Sequence, residues 1–206
     1  MHARSTTLTG RPEVTDDGIA LVRDEVMPTL QEMDGCVGVS MLVDRENGGC
    51  VVTSAWETLD HLQASARQVG PLRDRAQQLF GSRPEVREWE IAVLHRLRKT
   101  PDGACARVTW TQVDPGYIDE QLDIFRSDIV YQMEELPGFC STSFVTNRST
   151  GRGALATVYT SRDALAESRE AAGSLRTSAS RQMSTEVLDV AEFEVAIAHL
   201  RVPETV

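Results

Sequence analysis

The stretch Cys36 to Trp56, CVGVSMLVDRENGGCVVTSAW, returns in outline as FCSTSFVTNRSTGRGALATVY at Phe139 to Tyr159, 103 residues further on. Gly35 falls over Gly138, Ser40 over Ser143, Arg45 over Arg148, Gly48 over Gly151 and Trp56 over Tyr159. A repeat at fixed offset decides how many folded units a chain holds before any single element is read. Compared without a gap, residues 3–76 and 106–179 share 18 identities. The chain is therefore read as two copies of one unit, 1–98 and 105–206, joined by a linker at 99–104 rich in turn formers, Pro101 and Asp102-Gly103.

Within the first copy the stretch reads as a hairpin. Cys36 to Asp44 is apolar and β-branched, the turn carries Asn47-Gly48, and Cys50 to Trp56 returns. Before it, Ala3 to Leu8 suits a strand, and Ile19, Val22, Val26, Leu30 and Met33 recur at helical spacing behind Asp16 and Asp17. Pro28 should kink that helix or mark a boundary. After it, Leu59, Leu62, Ala66, Val69, Leu72, Ala76 and Leu79 form a second helical stripe, which Gly70-Pro71 should interrupt, and Thr58 offers a cap. Glu85 to Leu97 closes the unit as an alternating strand, with Trp89, Ile91 and Val93 on one side and Glu88, Glu90 and Ala92 on the other.

The order is β-α-β-β-α-β, a ferredoxin-like α+β unit with two helices on one face of a four-stranded antiparallel sheet. Leaving the other face wet would be costly at about 25 cal/mol per Å² of apolar surface. The second copy repeats every step, and its last strand is expected over Leu188 to Arg201, one residue out of phase with the first.

These patterns resemble the antibiotic-biosynthesis-monooxygenase (ABM) family of the dimeric α/β-barrel superfamily. A long helix closing at Gly35-Cys36-Val37, a strand-turn-strand ending in Trp56-Glu57 and a terminal Trp89-Glu90-Ile91-Ala92-Val93 carry the likeness, once per copy. The resemblance implies that the two ferredoxin-like βαββαβ repeats form an intramolecular dimeric α/β barrel, a pseudo-dimer in one chain. It also implies a cofactor-independent monooxygenase acting on a small aromatic or polycyclic molecule. A non-catalytic binding or scaffold barrel is the alternative. The haem-degrading branch has an Asn on the first strand and a His ten residues after the Trp; here those places hold Thr6 and Thr7, or Thr109 and Thr111, and Ala66.

Candidate pocket residues follow from position. Trp56 and Tyr159 end equivalent strands, as rings over a ligand or as core aromatics. Trp110 replaces Thr7 and breaks the symmetry of the copies. His95 and His199 are the equivalent histidines, suited to proton transfer or to a solvated strand end. Glu90 and Glu194 would face inward, paired with Arg4 or Arg107 if Trp89 faces the helices. No catalytic residue, metal ligand set or cofactor motif is assigned.

Composition narrows the partners. With Lys plus Arg 21 against Asp plus Glu 31 and a net charge of −10, the chain lacks the basic surface that phosphate backbones and anionic membranes attract. A small-molecule ligand, not nucleic acid or membrane, is expected. Four cysteines without metal or disulfide spacing, no signal-peptide core and no apolar run of membrane length point to a cytoplasmic protein.

Overall fold

The computed structural model describes residues 1–200, so the expected strand end at Arg201 lies outside the described residues. The chain runs β1 (His2–Thr9), α1 (Thr15–Leu21), a π-helical turn Val22–Val26, α2 (Met27–Gln31), β2 (Cys36–Asp44), β3 (Gly49–Trp56), α3 (Leu59–Ala64), α4 (Gly70–Phe80) and β4 (Glu85–Arg96). It then repeats as β5 (Cys105–Gln112), α5 (Ile118–Ile124), a π-helical turn Phe125–Ile129, α6 (Val130–Glu134), β6 (Phe139–Asn147), β7 (Arg152–Tyr159), α7 (Arg162–Glu167), α8 (Arg169–Gln182) and β8 (Glu186–Leu200). The strands are ordered β1-β3-β2-β8-β5-β7-β6-β4 in a closed barrel. This is the α+β architecture that the repeat and the family resemblance imply.

Two compact units divide the chain, one of Met1–Trp89 with the chain from Phe193, the other of Glu90–Glu192. In the first, β2 pairs with β3 and with the end of β8, where Val39 faces His199 and Met41 faces Ile197. In the second, β6 pairs with β7 and with the end of β4, where Leu94 faces Ser143. Each unit thus completes its sheet with the last strand of the other repeat.

The hairpins meet their sequence signals. Gly48 and Gly151 have φ of +71° and +72°, where a side chain is strained, and a Cβ on Gly151 would strike the Val113 carbonyl. Gly35 and Gly138, at φ of +73° and +66°, end the first helix of each repeat and pass close to His61 and to Ala164 respectively. Thr58 and Ser161 accept hydrogen bonds from the backbone N–H of His61 and Ala164, both 3.1 Å, and so cap α3 and α7.

The second helical stripe is interrupted where Gly70-Pro71 is expected to break it: α3 ends at Ala64 and α4 opens on Gly70, as suits a proline without a free N–H at a first turn. The equivalent Gly173-Ser174 lies inside the longer α8. Pro28 marks a boundary, in the first turn of α2 just after a π-turn, but the second repeat makes the same turn with Tyr131 in that place, so the proline is not its cause. The alternation of β4 fails: its register against β6 shifts between Ile91 and Val93, leaving Ala92 as a bulge. Ala92 and Val93 are consecutive and both buried. Trp89 faces away from the helices, since its indole donates to Ser5 Oγ at 2.8 Å, and Ser5 lies between Arg4 and Thr6, which face the helices.

Candidate functional site

In each unit the gap between the helices and the sheet is not fully packed. The first unit holds a cavity of about 70 Å³ walled by β1, β3, the π-turn and α4. The second holds one of about 70 Å³ at the equivalent place. Val22 and Val26 of the first π-turn, and Phe125 and Ile129 of the second, line these spaces. A π-turn's extra residue widens a helix locally and often accompanies a site.

One arginine per unit enters from the sheet. Arg107, on β5, is 5% exposed. Its Nε and Nη2 donate to Glu192 Oε1 at 3.2 and 2.9 Å, and Nη2 also donates to the Leu165 carbonyl at 3.0 Å. Its Nη1 donates to Ser168 Oγ and to Tyr159 Oη, both at 3.1 Å. All five guanidinium protons are thereby used.

Arg4, on β1, is built the same way. Nε and Nη2 donate to Glu88 Oε1 at 3.2 and 2.8 Å, Nη2 to the Leu62 carbonyl at 2.8 Å, and Nη1 to Ser65 Oγ at 2.8 Å. The fifth bond is missing, because Trp56 stands where Tyr159 stands and an indole cannot accept. Trp56 Nε1 donates to Ser54 Oγ at 3.0 Å instead. A second arginine lines each cavity from the long helix, Arg73 on α4 and Arg176 on α8.

Electrostatics follow from these contacts. Burial raises the Glu192 carboxyl, but hydrogen bonds from Arg169 and Arg107 more than offset this and hold it below the usual carboxylate range. A depressed acid contributes stability above its unfolded value and loses it as pH falls through the folded one. Glu192→Gln should therefore flatten the acid limb of stability below about pH 4.5. Because Glu192 stays partly wet, the loss at neutral pH should be only about 1 kcal/mol. Urea melts at pH 3.5 and pH 7 check it, and parallel limbs for the two proteins would refute the assignment. Burial also raises the Tyr159 phenol, against Ser168 and Arg107, and pushes the Cys50 thiol on the first cavity's wall up to about 12.

The candidates named from sequence divide. Tyr159 lines the second cavity, 1% exposed. Trp56 is fully buried and outside the lining of the first. Trp110 lies between Thr109 and Thr111, which line the second cavity, so its ring is on the other sheet face. Glu90 and Glu194 do not pair with Arg4 or Arg107: Glu90 accepts from Arg148 Nε at 2.7 Å, and Glu194 from Arg45 Nε at 2.9 Å. Those arginines also reach Asp119 and Asp16, each at 2.8 Å, tying hairpin turns to helix starts. The acids that pair with Arg4 and Arg107 are instead Glu88 and Glu192, each two residues earlier on its strand.

His95 Nε2 lies 2.7 Å from Glu134 Oε1 without hydrogen-bond geometry, and its ring stacks on Phe139 at 6.3 Å. His199 is half-buried on β8. Neither is in the lining of these two cavities. Sequence reasoning missed Ser65, Ser168, Arg73 and Arg176, although each pair is identical between the repeats.

Two ferredoxin-like repeats closed into one eight-stranded barrel, each with a helix-side cavity, define a duplicated dimeric α/β barrel. The family profile described as "Antibiotic biosynthesis monooxygenase" matches residues 1–69. The uncharacterized proteins Rv2557 and Rv2558 of Mycobacterium tuberculosis are 47% and 50% identical to the chain; all of the chain aligns, with 92% and 88% of the relatives. Among solved structures, an anthrone oxidase-like protein superimposes with a TM-score of 0.66 at 14% identity, covering 96% of this chain and 92% of its own. A monooxygenase-like protein of Listeria innocua gives 0.53 at 13% identity, covering 94% and 93%. The chain belongs to the ABM family, as a tandem duplication, and these mycobacterial proteins are its relatives over its full length. No described helix is long and apolar enough to cross a membrane.

Proposed function

We propose that this protein binds a small, mainly apolar molecule in the helix-side cavities of its barrel, and that single-ring phenols or quinols are the substrates to test for cofactor-independent oxygenation. The supporting observation is the repeated cavity itself, apolar around a buried arginine. Such a wall with a few placed polar groups is how small-molecule sites are built. Its size constrains the ligand: about 70 Å³ is less than the roughly 150 Å³ in which an engineered apolar cavity holds benzene. A polycyclic molecule would require the helices to part, whereas a single ring requires only that Leu and Arg side chains shift.

Oxygenation has a specific motive besides the solved neighbours' names. A guanidinium in a dry wall favours phenolate over phenol. The phenolate is the electron-rich form that reacts with oxygen. Neither lining holds an imidazole or a carboxylate, so the chain's contribution would be this field rather than a general base. Four free cysteines fit a reducing, cytoplasmic setting.

The test is thermal melting of the full chain with neutral single-ring ligands, benzamide and benzyl alcohol, followed by oxygen uptake with hydroquinones. Stabilisation that saturates with ligand is expected. No shift with any neutral ring at millimolar concentration would sink the binding reading, and binding without oxygen uptake would leave a non-catalytic barrel.

A further inference from the structure

The two cavities differ at one atom. In the second unit the Tyr159 hydroxyl takes the last Arg107 proton; in the first, the second Nη1 proton of Arg4 has no acceptor among the described residues. Arg4 is 4% exposed, so water cannot freely replace that acceptor. The Arg73 side chain, on the same cavity's wall, makes no hydrogen bond or ion pair among the described residues; its backbone N–H donates to the Val69 carbonyl. Its pKa is lowered, by burial first and then by the charge of Arg4, against the smaller opposing effects of Glu88 and Asp74. Glu88 hydrogen-bonds the Nε and Nη2 edge of Arg4 and leaves Nη1 to Ser65.

We propose that the first unit's cavity is a site for a small apolar acid, whose anionic oxygen accepts from Arg4 Nη1 and lies against the Arg73 guanidinium while its hydrocarbon part meets Leu8, Val22, Val52 and Leu72. The second cavity is closed to such an anion, because the phenol of Tyr159 already occupies the acceptor position. The exchange of Trp56 for Tyr159 thus makes the repeats one anion site and one neutral site. Carboxylates and phenolates share the required chemistry. This inference rests on the cavities being ligand sites, and it adds charge selectivity and a stoichiometry.

The test titrates the full chain with benzoate and its neutral match benzamide, by calorimetry and by amide chemical shifts. Benzoate should bind once per chain, moving the amides of Leu8, Cys50 and Val52 and not those of Thr109 and Leu155. Arg73→Met should weaken benzoate at least tenfold and change benzamide less than twofold. Tyr159→Phe, which frees the last Arg107 proton, should raise the benzoate stoichiometry from one to two. Equal affinity for benzoate and benzamide, or benzoate bound equally well by Arg73→Met, would overturn the anion site while leaving the cavities as ligand sites. Unchanged stoichiometry in Tyr159→Phe would overturn the role of the phenol, and failure of both probes would remove the underlying reading as well.

Discussion

Arg107→Met is expected to lower the unfolding free energy by about 3 kcal/mol at neutral pH. Methionine can follow the arginine stem through the sheet, so little packing is lost, but it supplies none of the five donors. The Leu165 carbonyl, Ser168, Tyr159 and Glu192 lose their shared partner together. Breaking a buried pair costs about 3–5 kcal/mol, and the lower end applies here because Glu192 keeps Arg169, at 2.6 Å. The cost should shrink as pH falls through the depressed pKa of Glu192, since protonation removes the charge left unpaired. Urea unfolding at pH 7 and pH 3.5 measures both. A loss below about 1 kcal/mol at neutral pH would show that the network contributes little. Arg4→Met should cost less, because one bond fewer is broken and Glu88, its partner, is more exposed than Glu192.

The asymmetry between these arginines shows where sequence reading stopped. The hairpins were legible because Gly48 and Gly151 must take positive φ, and the capped helices because Thr58 and Ser161 precede them. The repeat then multiplied each signal by two. The facing of β4 was not legible: a bulge at Ala92 and the Trp89–Ser5 bond depend on partners far along the chain, and alternation left open which face Trp89 takes. Glu88 and Glu90 share a face, so alternation could not say which of them meets Arg4; the hydrogen bonds select Glu88. Arg4, Arg107, Ser65 and Ser168 were visible as repeated identities, yet nothing local says that Arg107 reaches α7 and the start of α8. Trp56 over Tyr159 looked like one aromatic for another; the hydroxyl's partner gives the exchange its meaning.

The last test uses the space beside that network. Phe125, 1% exposed, sits on the second π-turn with its ring 5.1 Å from Phe144 and forms part of the cavity wall. Phe125→Ala is expected to cost about 4 kcal/mol, the transfer free energy of a ring plus the void it leaves. The void adjoins a space that is already about 70 Å³, so the variant should hold a ring that the parent admits poorly. Benzene at a hundred times its dissociation constant would then return about 2.7 kcal/mol. Guanidinium unfolding with and without saturating benzene reads both quantities. The same loss without rescue would mean that α5 and α6 close onto the sheet instead of leaving room. In that case the cavity's dimensions follow from Phe125 itself, as a wedge between the π-turn and the strands, and not from a gap the scaffold keeps open.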